Sequence, residues 1–149
     1  MALADFLRPD SVLLSPQAAD KWQLIRQMVD GLVGAGHLPF ERRDEAVAAL
    51  DARERSVSTG MEQGIAVPHA ALDELDGVRA ALAVIPEGLD FQSLDQLPAR
   101  IVVLLLVPRQ EKLLHVRTLT EVARRLGDSA FRQRILDCRS GAELIGLWA

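Results

Sequence analysis

One histidine in this chain, His69, directly follows a proline at the end of a short apolar run, and that placement suits chemistry. Arg53 to Ala70 reads RERSVSTGMEQGIAVPHA: a loop rich in Ser, Thr and Gly, then Ile65-Ala66-Val67, then Pro68-His69. The apolar triplet predicts a strand. Proline has no N–H to give to a sheet ladder, so the strand is expected to stop at Pro68-His69. The imidazole would then sit at a strand end, on a rim, with stiff backbone behind it. A neutral imidazole carries a lone pair on one ring nitrogen, and near pH 7 a substantial neutral fraction exists without special tuning. A backbone carbonyl that took the proton of the other nitrogen would fix the tautomer and aim the lone pair outward. Such a site suits a nucleophile that must meet a second protein; a satisfied structural histidine is the plainer alternative.

The elements that must position this residue can be read from periodicity. Val12-Leu13-Leu14 predicts a short strand, and Ser15-Pro16 looks like a helix start, a capping hydroxyl followed by a first-turn proline. Trp22, Ile25, Val29 and Leu32 then recur at helical spacing until Gly34 and Gly36, with His37 in the turn beyond. A second helix is expected from about Glu41 to Arg53, with Ala46, Val47 and Leu50 inward. Ile65 to Val67, Ala80 to Ile85 and Ile101 to Val107 read as strands, and the unbroken apolarity of IVVLLLV suggests a central strand covered on both faces. Helical spacing returns at Leu119, Val122 and Leu126. Ser129 can cap a further helix carrying Phe131, Ile135 and Leu136, and Ser140 with Glu143 forms a capping-box pattern for a last one. The expectation is an α/β fold: a single layered domain whose central mixed β-sheet of about five strands is flanked by helices on both faces.

Composition narrows the function. The chain has 149 residues, 49% hydrophobic and 26% charged, the profile of a globular domain with a real core. A net charge of −4 argues against nucleic acid as the main partner. The arginines at 124, 125, 132 and 134 read as the solvated face of helices. Cys138 is the only cysteine, so no internal disulfide forms and a reducing compartment is expected. It reads as a small packed side chain on a late helix. MALADFLRPD lacks the apolar core of a secretory signal, and the most apolar run is far too short to cross a bilayer. A cytoplasmic protein without direct membrane insertion is the expectation.

The GIAVPHA motif at Gly64 to Ala70, preceded by STG at Ser58 to Gly60, resembles the phosphorylation-site signature of enzyme IIA domains of the fructose–mannitol type. That group includes the nitrogen-regulatory IIA proteins. The resemblance runs over essentially the whole chain, through the early helix, the Arg53-Glu54 pair, the apolar strand ending in LLVP, and the later helix start with His115 and Leu119. It implies one phosphotransfer domain over residues 1–149, phosphorylated on His69 by the small histidine-containing phosphocarrier. It also implies that Arg53 and His115 are active-site residues. Phosphoryl transfer concentrates negative charge on the equatorial oxygens, where an arginine fork or an imidazole N–H lowers the barrier. Ser58, Thr59 and loop N–H groups would complete the phosphoryl-binding cradle. No cofactor and no metal is implied. The onward partner would be a IIB domain or a regulatory target protein.

One departure stands out: Glu62 occupies a position where the family usually has glycine, so it would either repel an incoming phosphoryl group and restrict the loop, or point to solvent. The chain carries no second segment resembling IIB and no membrane-embedded IIC, which favours the nitrogen-regulatory branch. A sugar-specific component donating to a separate IIB, and a transfer-impaired regulatory binding module, stay open beside it. A metal enzyme built on His69 and His115 has no local ligand spacing such as HExxH or paired CxxC to support it.

Overall fold

A computed structural model describes residues 3–149 of the chain. Its elements run β1 (Val12–Leu14), α1 (Lys21–Gly34), α2 (Arg43–Ser56), β2 (Ile65–Ala66), β3 (His69–Leu72), β4 (Arg79–Leu89), β5 (Ala99–Pro108), α3 (Lys112–Leu126), α4 (Ser129–Leu136) and α5 (Gly141–Trp148). The strands make one five-stranded mixed sheet in the order β1-β4-β5-β2, with β3 also on β5. β4 and β5 pair antiparallel, and the other pairings are parallel.

The packing of β5 explains why its sequence is apolar from Ile101 to Val107. Ile101, Val103, Leu105 and Val107 point to one face, where Val122, Leu126, Phe131, Ile135, Leu144 and Trp148 cover them. Val102, Leu104 and Leu106 point to the other, where Leu24, Ile25, Met28, Ala46, Val47 and Leu50 cover them. A strand sealed on both sides has no position left for a polar residue. Helices α1 and α2 thus close one face, and α3, α4 and α5 the other.

The structure departs from the sequence reading at several element ends. α1 begins at Lys21 rather than at Ser15-Pro16: the Ser15 N–H donates to Val84 O at 2.8 Å and prolongs β1. Asp20 caps the helix instead, its carboxylate accepting from the Gln23 N–H at 2.8 Å. Phe40–Arg42 forms a separate 3₁₀ turn ahead of α2, which runs on to Ser56. β4 continues past Pro86 to Leu89, with an irregularity between Val84 and Leu89 and Gly88 at φ +82°. Asp128, not Ser129, caps α4, while Ser140 caps α5 as read.

The largest departure lies at His69. The edge strand does not stop at Pro68-His69. Ala66 stands opposite Val102 and His69 opposite Leu105, so pairing with β5 resumes in the same register after Pro68. Pro68 lacks an N–H but keeps its carbonyl, which accepts from the Leu105 N–H at 3.0 Å. The Val67 N–H turns the other way, to Thr59 O at 3.1 Å. His69 is therefore the first residue of a resumed edge strand, and its side chain shares a face with Ile65 and Val67, towards α3.

Candidate functional site

The His69 ring is half-buried, and its Nδ1 lies 2.9 Å from the Val67 carbonyl oxygen. A carbonyl only accepts, so Nδ1 carries the proton and the neutral ring has its lone pair on Nε2. Burial holds the His69 pKa below the ordinary imidazole value of 6.5, with the charges of Arg53 and His115 pushing the same way. The neutral, nucleophilic form is thus favoured at neutral pH. His115, in the first turn of α3, meets this ring edge-on, with ring centroids 5.4 Å apart and planes at 70°.

His69 opens onto a cavity of about 380 Å³. Arg53, Ser58, Thr59 and Gly60 line it from the end of α2 and the loop that follows, and Leu119 and Ala123 from α3. Arg53 is half-buried in the last turn of α2, with its Nη1 donating to Val57 O at 2.8 Å. That bond satisfies a helix-end carbonyl and fixes the guanidinium at the cavity wall. The structure therefore brings together all five residues singled out in the sequence: Arg53, Ser58, Thr59 and His69 line one cavity, and His115 packs against His69.

The hydroxyls of Ser58 and Thr59 are engaged with protein. Ser58 Oγ donates to Phe91 O and accepts from the Gly60 N–H at 3.1 Å. Thr59 Oγ1 donates to Glu54 Oε1, and its N–H donates to Glu54 Oε2 at 2.8 Å. In this geometry both side chains shape the loop. Glu62 is exposed and is absent from the cavity wall. The left-handed backbone of its loop falls on Gln63 (φ +66°) and Gly64 (φ +77°), so a side chain at position 62 carries no such strain.

Three features escaped the sequence reading. Glu54 is 2% exposed and paired with Lys21, which is 4% exposed, at 3.2 Å; a partner 33 positions away leaves no local signal, although the Arg53-Glu54 dipeptide marked the spot. Leu119 and Ala123 form the α3 wall, legible only as helical periodicity. Val57, Met61 and Leu94 form an exposed apolar rim, with Leu94 80% exposed. Among the described residues no three His, Cys, Asp or Glu side chains gather as a metal site, and no helix is long and apolar enough to cross a membrane.

Comparison with known proteins finds a family and relatives that span most of the chain. The model of the family described as "Phosphoenolpyruvate-dependent sugar phosphotransferase system, EIIA 2" matches residues 5–147. A fructose-specific EIIA component of Haloferax volcanii is 33% identical over 129 residues, covering 87% of this chain and 82% of the relative. A nitrogen regulatory protein of Bradyrhizobium diazoefficiens is 25% identical over 149 residues, covering 100% of this chain and 95% of the relative. The fold of IIA-Ntr from Neisseria meningitidis superposes with a TM-score of 0.88 at 22% identity, over 99% of each chain. The mannitol enzyme IIA of Escherichia coli, solved in complex with phosphorylated enzyme IIB, superposes with a TM-score of 0.79 at 26% identity, over 95% of this chain and 96% of that one.

Proposed function

The chain belongs to the EIIA 2 family of the phosphoenolpyruvate-dependent sugar phosphotransferase system, and we propose that it works there as a phosphohistidine carrier, one domain over residues 1–149, with Nε2 of His69 as acceptor. The observation that carries this reading is the 2.9 Å contact from Nδ1 to the Val67 carbonyl, which leaves the lone pair on the nitrogen remote from the backbone. The donor is a histidine-containing phosphocarrier. The Nε2 lone pair attacks phosphorus, the P–N bond to the donor's ring breaks, and its electron pair returns to that ring. In the onward step a cysteine thiolate of a IIB domain attacks the same phosphorus, and the pair of the breaking P–N bond returns to Nε2.

Arg53 and His115 stabilise the oxygens of the phosphoryl group in flight, where charge-assisted donors act most strongly. Ser58 and Thr59 contribute through the loop they hold, which presents its backbone to the same cavity. The apolar rim of Val57, Met61 and Leu94 supports docking of a partner that excludes water from the reacting atoms. Both reactions place the chain in the cytoplasm, beside its carrier.

A nitrogen-regulatory role is the finer reading, supported by a relative of that name aligned from end to end. The sugar-specific alternative is supported by the fructose-specific relative. The position of Glu62 in solvent weighs against the transfer-impaired module. Incubation with a phosphorylated histidine phosphocarrier, followed by intact mass measurement, tests the reading. A mass gain of one phosphoryl group is expected, and no gain with any of several carriers would turn the reading into a pure binding module. Passage of the label to a fructose- or mannitol-type IIB, set against retention on His69, separates the two branches.

A further inference from the structure

We infer that Lys21 is a positioning residue for phosphoryl transfer: through Glu54 it holds the cavity loop in place while cancelling a carboxylate charge that would otherwise repel the phosphoryl group. The inference rests on His69 being the acceptor.

Glu54 has a structural task that suits a carboxylate paired with an ammonium. Its carboxylate takes both the N–H and the hydroxyl of Thr59 and the ammonium of Lys21, three donors with nothing to give back. A carboxylate, which has acceptor sites on both oxygens, matches this set of donors. Thr59 in turn carries its carbonyl to the Val67 N–H, directly behind the Pro68-His69 corner. The carboxylate thereby ties the end of α2 to the strand that presents the imidazole.

The same placement creates a problem. Glu54 lies directly behind the wall of the site, because Thr59, which it holds, lines the cavity onto which His69 opens. A phosphoryl group on that ring would bring roughly two further negative charges into the same half-buried space. Like charges at such depth repel strongly, because little water screens them. Lys21 answers this from the first turn of α1. Its Nζ lies 3.2 Å from Glu54 Oε2 and 2.9 Å from Gln92 Oε1, over the rings of Trp22 and Phe91 at 5.0 and 5.9 Å. The groups in contact with Glu54 are thus Lys21 from α1 and Thr59 from the loop, while Arg53 beside it lines the cavity of His69. A buried ion pair is a poor device for stability alone, since apolar replacements of similar volume often match it. Here it keeps the carboxylate as the loop's acceptor while neutralising the layer behind the cavity wall.

The test compares two states of the folded chain. Each variant is equilibrated with a phosphocarrier pool of fixed phosphorylated-to-unphosphorylated ratio, and the phosphorylated fraction of the chain is read by intact mass. Urea unfolding of the unphosphorylated chain is followed in parallel. Lys21→Met is expected to lower the phosphorylated-to-unphosphorylated ratio about tenfold, Lys21→Arg to hold it near wild type, and Lys21→Met with Glu54→Gln to recover it. If Lys21→Met fails to fold, Glu54→Gln supplies the opposite sign: a lone ammonium raises the ratio. A lowered urea midpoint with an unchanged ratio for Lys21→Met, or an unchanged or lowered ratio for Glu54→Gln, would overturn the inference and leave the pair merely structural. No phosphorylation of the wild-type chain would instead overturn the acceptor reading itself.

Discussion

His69 and His37 have much in common, yet the proposed function assigns transfer to only one of them. Both rings are half-buried, both have arginines nearby, and in both burial is the main cause holding the pKa below the ordinary value. The partners differ. Nδ1 of His69 has the Val67 carbonyl, which fixes the tautomer, whereas the buried Nδ1 of His37 has no hydrogen-bond partner among the described residues. It is the backbone of His37 that is held: its N–H donates to Leu32 O at 2.9 Å, and its carbonyl accepts from Arg79 Nε at 2.7 Å. His69 opens on a cavity of about 380 Å³ with an apolar rim; His37 lines one of about 180 Å³ among Asp5, Arg8 and Arg79. Desolvation and a neighbouring cation lower a pKa but do not make an acceptor. A chosen tautomer and a surface on which a partner can dock do.

The largest expected effect breaks the pair apart. His69→Ala should lose phosphoryl labelling completely, while His37→Ala should label at the wild-type rate, as followed by radiolabel or intact mass. Labelling of both, or loss in both, would erase the distinction. Next, Arg53→Ala and His115→Ala should each slow labelling by about 100-fold, the usual cost of removing one donor to developing charge. Rapid-quench time courses would measure it, and an effect below about threefold would remove that residue from the site.

A smaller effect sharpens the pH contrast. The rate of phosphoryl acceptance should rise with pH and reach half its plateau below 6.5, because the burial-lowered pKa of His69 sets the neutral fraction. A midpoint above 6.5 would contradict the geometry. The smallest effect concerns stability. Both folded-state pKa values lie below 6.5, so the unfolded chain binds more protons than the folded one as pH falls past that value. The contribution of the neutral rings is fully present above 6.5 and is lost as pH falls through the folded values. Urea midpoints measured from pH 7.5 to 5.5 should therefore decline less in a variant with both His37 and His69 changed to Gln than in wild type.

Much of the frame was legible because it obeys local rules. β1 and β5 stand where apolarity put them, and the Ser140 cap follows its motif. Pro68 misled for a physical reason: a missing N–H ends donation by one residue, yet its carbonyl still serves β5 and the register survives. Ser15 looked like a cap, but its N–H was claimed by β4, and Asp20 took the task. At the site, His69, Arg53 and His115 announced themselves by residue type and motif. The roles of Ser58 and Thr59 depended on acceptors brought in by the fold, Phe91 and Glu54, and the Lys21–Glu54 pair depended on two helices meeting. Side chains that work through partners distant in sequence are invisible until the chain is folded.

The most direct measurement is heteronuclear NMR of the chain labelled with ¹⁵N-histidine and charged by a phosphorylated carrier. Phosphorus coupled to Nε2 of His69, with Nδ1 still protonated, is the predicted result. A phosphoryl group on Nδ1 of that ring, or on His115, would contradict the account.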